Sequence, residues 1–204
     1  IARLVGSEMC IRDRFKNEQI MINAQNSKKG VLLLFRHSIF LELSARLISE
    51  KFAIYGMERP NNSEVLQKIM RRGRLKAMKG LTSNSNVSQL IKWLNEGKTV
   101  LYGPDQDYKN KRSVVSRFFK QKCLTTTVPY TLKNITKCKL IYLDFYKTSN
   151  GYEFIFEDVS DIADSKQNFA DEINSIIERS VTKAPEHYFW HHRRFKSQSP
   201  EIYD

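Results

Sequence analysis

The sequence predicts an α/β fold: a single domain with a central mixed β-sheet flanked by helices. Three observations predict it. Short apolar runs alternate with stretches of helical period for most of the length, the pattern of strands joined by crossover helices. The last two runs are joined by Thr148-Ser149-Asn150-Gly151, a hairpin signal, so at least one strand pair is antiparallel and the sheet is mixed. No internal repeat, low-complexity run or interdomain linker interrupts the 204 residues, enough for one domain with a substantial core.

Taken in order, Phe15–Lys29 is polar with scattered apolar residues and reads as the end of a helix. Gly30 precedes five apolar residues, Val31–Phe35, short enough for a buried strand. Ile39, Leu43 and Leu47 then recur at helical spacing to about Glu50. Phe52–Glu58 reads as a second strand. Arg59-Pro60-Asn61-Asn62-Ser63 is a turn with a helix N-cap at Ser63, and Val65, Leu66, Ile69 and Met70 form one apolar stripe of the next helix. Gly73 and Gly80 bracket a basic loop. Val87, Leu90, Ile91 and Leu94 mark a helix closed by Gly97. Thr99–Tyr102 is a short strand, and a basic loop is expected from Lys109 to Lys122. Pro129 opens a helix running to about Thr136. Lys139–Tyr146 and Tyr152–Glu157 are the hairpin strands. Phe169, Ile173, Ile176, Ile177 and Val181 mark a long helix, and an aromatic, basic ending follows from His187 to Lys196.

Composition narrows the function classes. Hydrophobic residues make up 41%, with 12 Phe and 9 Tyr, which excludes a disordered chain. The formal charge is +12. A chain this basic prefers acidic partners: nucleic acid, anionic lipid, phosphorylated substrates or an acidic carrier protein. The three cysteines, Cys10, Cys123 and Cys138, lack metal-ligand spacing and read as reduced thiols. Ile1–Arg14 has no clean period, reads as a non-native, adapter-derived segment and is set aside from the fold, so that residues 15–204 form the domain, truncated at its N-terminus. No apolar run approaches the ~18 residues of a membrane-spanning helix.

The chemistry concentrates where the first buried strand ends. His37 stands where strand hands over to helix, the edge at which open α/β sheets bind ligands. Glu42 follows five residues on. A histidine and a carboxylate can act as general base and orienting partner. Five helical residues turn through roughly 140°, so the two meet only if His37 precedes the first turn and Glu42 reaches back; the alternative is a capping-region histidine beside a solvated glutamate. Two basic clusters lack interspersed acids: Lys68, Arg71, Arg72, Arg74, Lys76 and Lys79, then Lys109, Lys111, Arg112, Arg117, Lys120 and Lys122. Each is a solvated face or a site for phosphate and carboxylate. Asp105 and Asp107 follow the Thr99–Tyr102 strand and suit orienting a basic residue or a sugar hydroxyl better than binding a metal. Thr125–Thr127 is a hydroxyl-lined wall or a helix cap. His187, His191 and His192 have no cysteine partners nearby, and no metal is expected. Neither common Gly-rich phosphate loop nor a GxSxG nucleophile elbow is present.

Together these pieces resemble the lipid A biosynthesis acyltransferases of the lauroyl/myristoyl type, within the HxxxxD/E glycerolipid acyltransferase superfamily. Four blocks carry the resemblance: His37-Ser-Ile-Phe-Leu-Glu42; Glu58-Arg59-Pro60-Asn61 with Gly73-Arg74; Tyr102-Gly-Pro-Asp105-Gln-Asp107-Tyr108 with Thr125–Thr127; and Ala184-Pro185-Glu186-His187-Tyr188 through Lys196. The resemblance implies a glycerolipid acyltransferase-like fold. It implies transfer of a fatty acyl chain from acyl carrier protein to a hydroxyl of an anionic lipid A precursor, without cofactor, metal or nucleic acid. His37 would be the general base and Glu42 would orient it. Arg74 and Lys79 would hold acidic groups of the acceptor, with Asp105 and Asp107 on the same side. It further implies work at a membrane surface, the cytoplasmic face of the inner membrane, with the membrane anchor outside this chain. Ser116-Arg117-Phe118-Phe119-Lys120 departs from the family's Pro-Phe-Phe-Gly pattern. Other readings are a lysophospholipid or other glycolipid acceptor on the same fold, a basic nucleic-acid-binding domain, and a catalytically dead membrane-surface domain.

Overall fold

The computed structural model describes residues 13–162 and 164–204. The adapter-like reading of Ile1–Arg14 therefore falls, up to residue 12, outside the described residues, as does Cys10. Arg14 itself opens the edge strand β1 (Arg14–Lys16), and Asp13 accepts a hydrogen bond from the Tyr152 amide. After it come α1 (Glu18–Asn26), β2 (Val31–Phe35), α2 (Leu41–Lys51), β3 (Ile54–Glu58), α3 (Glu64–Leu75), β4 (Gly80–Ser83), α4 (Val87–Asn95) and β5 (Thr99–Tyr102). Then follow β6 (Ser113–Phe118), β7 (Gln121–Thr126), α5 (Val128–Thr136), β8 (Lys139–Thr148), β9 (Gly151–Asp158) and α6 (Lys166–Lys183), with short 3-10 turns toward the end.

Seven strands form one sheet in the order β1-β9-β8-β2-β5-β3-β4, parallel except for the β8–β9 hairpin. Strand β2 is buried along its whole length because it has a sheet neighbour on each side and helices on both faces. Its alternate residues feed two cores. Leu32 and Leu34 join Val100, Tyr102, Leu140 and Tyr142 under α4, α5 and α6. Val31, Leu33 and Phe35 join Leu101, Ile141 and Leu143 under α1 and α2. The result is a three-layer α/β/α sandwich.

The topology fixes where a site can lie. From β2 the chain leaves by α2 on one face toward β3; from β5 it leaves by the β6–β7 hairpin and α5 on the other face toward β8. Adjacent parallel strands whose connections part in this way leave a crevice at their C-terminal ends. Leu34 pairs with Tyr102, so the two strand ends stand level.

Besides β1, which is a strand where the sequence reads as the end of a helix, three elements differ from the sequence expectation. The basic stretch between Gly73 and Gly80 is helical to Leu75, and β4 begins at Gly80, where the edge position lets a polar GLTS segment complete the sheet. The expected loop Lys109–Lys122 contains most of a two-stranded hairpin, β6–β7. Its two-residue turn is Phe119-Lys120, at φ 48° and 67°. That is the backbone of a turn normally made by Asn-Gly, which hides it from a reader of turn residues. Third, the stripe Val65, Leu66, Ile69 and Met70 enters neither core. No residue of α3 is buried; Val65 is 68% exposed and Ile69 64%. The face turned inward is polar: Gln67, Arg71 and Arg74, spaced at one helical turn, reach the buried Glu58.

Candidate active site

His37 lies beyond the C-terminal end of β2 and before α2, whose N-cap is Phe40. It thus precedes the first helical turn. The partner of its ring is Asp105, on the loop that leaves β5. Asp105 Oδ1 lies 2.6 Å from His37 Nδ1, and its other oxygen accepts the His37 backbone N–H at 2.8 Å. The Asp105 side chain is buried and His37 is one-fifth exposed. Burial opposes the charge of Asp105, but the charge and two hydrogen bonds of His37, with the charge of His192, outweigh it. The carboxyl is held well below the usual carboxylate range. An ionised carboxylate can only accept, so it fixes the proton on Nδ1 and leaves Nε2 as the nitrogen able to take a proton.

The backbone of Gly103 lies flat against the imidazole. A Cβ there would stand 2.5 Å from His37 Cε1 and 3.0 Å from Nδ1, so only glycine admits the ring. Behind the loop, Arg36 is completely buried between the rings of Phe145 and Tyr146. It donates to the Phe145 carbonyl at 3.0 Å and to Ser180 Oγ, and pairs with Asp144. The C-terminal block straps the loop in place. The Ile39 amide donates to the His187 carbonyl, and the Phe189 amide donates to the His37 carbonyl. His192 Nε2 lies 3.1 Å from the Asp105 carbonyl oxygen, and burial lowers the pKa of its imidazole. Spacing alone does not reveal this strap, although its residues make up the fourth block of the family resemblance, Ala184 through Lys196.

The expected pairing of Glu42 with His37 is not made. Among the described residues no hydrogen bond or ion pair joins them. Glu42 turns instead to Arg74, whose Nε lies 3.2 and 3.1 Å from the two carboxylate oxygens and whose Nη2 also bonds Oε1. Arg74 Nη1 reaches Glu58 Oε2 at 3.1 Å, and Arg71 pairs with the other Glu58 oxygen. The hydrogen bond to Glu42, then the contacts with Glu58, raise the Arg74 pKa against the opposing effect of burial. The physical reason for the exchange of partners is topological. Level ends of neighbouring parallel strands put the β5 loop against His37, whereas Glu42 projects from the first turn of α2 toward α3.

The remaining candidates divide. His37, Glu42, Arg74 and Gly103 share one cavity of about 290 Å³, with Arg59, Gln106 and Tyr108 also on its wall. Lys79 is not brought there: it precedes β4, at the N-terminal edge of the parallel strands, opposite to His37. Asp107 is buried beside the site, where one oxygen accepts the Ser197 amide at 2.8 Å, and so ties down the C-terminal segment. Thr125 is no cavity wall; its hydroxyl accepts hydrogen bonds from Arg194 and Asn174. His187 packs edge-on against Phe40 while His192 faces the Asp105 loop, so they do not converge. No group of three or more His, Cys, Asp or Glu among the described residues could hold a metal ion. The cavity cation missed by the reading of clusters is Arg59, exposed and isolated in sequence from the other basic residues.

What this arrangement can do is move a proton. A buried, ionised aspartate behind an imidazole at a strand end makes a base, and no Ser, Thr or Cys is among the described residues lining its cavity. Comparison with known proteins gives the family. The model of the family described as "Bacterial lipid A biosynthesis acyltransferase" matches residues 5–197. A Haemophilus influenzae "Lipid A biosynthesis acyltransferase" is 31% identical across 97% of this chain and 67% of its own. Two Escherichia coli K12 proteins match 86% of this chain: a "Lipid A biosynthesis lauroyltransferase" at 32% identity over 59% of its length, and a "Lipid A biosynthesis palmitoleoyltransferase" at 29% over 58%. The chain thus spans roughly three-fifths to two-thirds of the length of these curated relatives. A strand-end histidine held by a buried carboxylate, on an α/β sheet whose sequence matches one family model almost throughout, places the chain in the bacterial lipid A biosynthesis acyltransferase family, a family of acyltransferase enzymes.

Proposed function

We propose that the protein transfers a fatty acyl chain from acyl carrier protein to a hydroxyl of a lipid A precursor, with His37 as general base and Asp105, in place of Glu42, as its orienting partner. The observation that carries this reading is the doubly hydrogen-bonded Asp105 beneath His37. The acceptor hydroxyl gives its proton to Nε2 as its oxygen attacks the thioester carbonyl. The carbon–sulfur bond then breaks, and the carrier's thiolate recovers the proton from the imidazolium. No acyl-enzyme forms. Glu42 and Glu58 hold Arg74 in a nearly charge-matched cluster, so Arg74 serves chiefly to shape the cavity wall. Arg59, exposed on the same wall, is the cation available to a phosphate of the acceptor. The net charge of +12 suits both an acidic carrier and an anionic acceptor. The outward face of α3, with Val65 and Ile69 among Lys68, Arg72 and Lys76, supports work at an anionic membrane surface, the cytoplasmic face of the inner membrane.

The test is a transfer assay with acyl carrier protein thioester and lipid A precursor. His37→Ala is expected to lower turnover by about 10²–10⁴-fold, the usual weight of a general base, with the fold intact by circular dichroism. Near-wild-type turnover in His37→Ala would sink the mechanism. Transfer to a lysophospholipid in preference to the lipid A precursor would move the assignment to another acceptor.

A further inference from the structure

Half of the second basic cluster stands at the mouth of the His37 cavity. Tyr108 is on the cavity wall, and Lys109, Lys111 and Arg112 follow it on the same loop, all of them exposed. They are not on the wall themselves, where Arg59 and Arg74 are the cations. Arg117 and Lys122 are carried off along the β6–β7 hairpin, where they face each other near its turn. In their place the C-terminal segment adds a cation: the Ser197 amide, bonded to Asp107, brings the backbone of the exposed Lys196 to the start of the loop. Among the described residues, none of Lys109, Lys111, Arg112 and Lys196 is in an ion pair. The loop is held in place. Asn110 Oδ1 accepts the Arg112 amide at 2.8 Å, and the Arg112 carbonyl accepts the Thr127 amide at 2.7 Å. Its chemistry also differs from that of α3. No residue from Lys109 to Arg112 is hydrophobic, whereas the outer face of α3 mixes Val65, Leu66 and Ile69 with its cations. A bilayer surface gains from apolar side chains between the charges. A fixed rim of charge alone complements an acidic protein surface.

We propose that this rim, Lys109, Lys111 and Arg112 with Lys196, is the docking surface for the acidic carrier protein that presents the acyl thioester to His37. The inference rests on the acyl-transfer reading above, which supplies the carrier. The place follows from continuity with the cavity: a thioester tethered to a carrier on this loop enters beside Tyr108, and the face of α3 stays free for lipid. Attraction between a basic rim and an acidic partner acts mainly on encounter and is screened by salt.

The experiment measures KM for acylated carrier protein at saturating lipid A precursor, and KM for the precursor at saturating donor. It compares wild type, Lys109→Glu/Lys111→Glu, and a control, Lys28→Glu/Lys29→Glu. The control makes the same change of charge on the exposed turn before β2, at the opposite edge of the sheet from His37. Circular dichroism and melting curves check each fold. Lys109→Glu/Lys111→Glu is expected to raise the donor KM at least tenfold and the acceptor KM by less than about twofold, and the control to move the donor KM by less than about twofold. Added salt is expected to raise the wild-type donor KM steeply and that of Lys109→Glu/Lys111→Glu little. A donor KM unchanged in Lys109→Glu/Lys111→Glu overturns the proposal. An acceptor KM raised in its place gives the rim to the acceptor's phosphate, and a loss of anionic-vesicle binding in its place gives it to the membrane; either overturns the proposal. An equal rise in the control also overturns it, because net charge then explains the effect. Absence of transfer from every donor by the wild type overturns instead the acyl-transfer reading on which the proposal stands.

Discussion

Asp105 shows why a single residue's role depends on both of its oxygens. One accepts the His37 backbone N–H and the other faces Nδ1. Asparagine offers one acceptor in place of two. The backbone donor cannot change its character, so the amide oxygen goes to it and the NH₂ faces the ring. Nδ1 must then accept, and the proton moves to Nε2, the nitrogen that has to be free. Asp105→Asn is therefore expected to cost about 10²–10⁴ in kcat, measured by steady-state transfer, and also to lower the melting temperature, because the ionised carboxylate's pairing with His37 is lost. The sign of its pH dependence follows from the depressed pKa. Its contribution to stability is complete above the ~3.9 of an unfolded aspartate and is lost only as pH falls through its lower folded value. Between pH 5 and 8 a change in stability or turnover has another origin. Gly103 makes a separate prediction. Gly103→Ala puts a methyl group into the imidazole and must move it; a shift near 1 Å lowers turnover about 10²-fold. Turnover retained in Gly103→Ala, with the His37 ring resonances unmoved by NMR, would refute the close approach.

At the scale of elements, the β6–β7 hairpin turns on Phe119-Lys120, both in the left-handed region. Neither residue is suited to it, but the turn is held from outside. The Phe119 amide donates to Glu178 on α6 at 2.7 Å, and its ring packs on Phe118. Lys120→Gly relieves one of the two strained positions and is expected to raise stability by about 0.5–1 kcal/mol in urea denaturation. A loss of stability would mean that the turn is not left-handed at Lys120. Helix α3 reverses the usual rule for a surface helix. Its charged residues Arg71 and Arg74 face the protein because Glu58, buried at the end of β3, needs partners. Val65, Leu66 and Ile69 are left outside. Periodicity finds the stripe on such a helix but cannot say which way it points.

At the scale of the molecule, that outward stripe belongs to a basic face. The proposed membrane contact rests on that face, and no described helix is long and apolar enough to cross a membrane. Val65→Glu combined with Ile69→Glu is expected to weaken co-sedimentation with anionic vesicles by at least tenfold, since about 1.5 kcal/mol is gained per buried aliphatic side chain and is forfeited here. Circular dichroism should stay unchanged, because neither side chain touches the core. Vesicle binding equal to that of the wild type would remove α3 from the membrane contact.

The sequence by itself determined the layered α/β architecture, because alternation of short apolar runs with helical stripes is a local signal written at each element. It located His37 for the same reason: a strand end and a helix start are both legible in Val31–Glu50. It also placed the N-cap at Ser63 and the antiparallel pair after Lys139. Only the tertiary structure decided which carboxylate hydrogen-bonds His37. Asp105 is 68 residues away and meets it because β2 and β5 lie side by side with level ends, an order that no local pattern encodes. Glu42, five residues away, is drawn off to Arg74 by a helix packed across from it. Proximity in sequence suggested the pair; strand order made a different one.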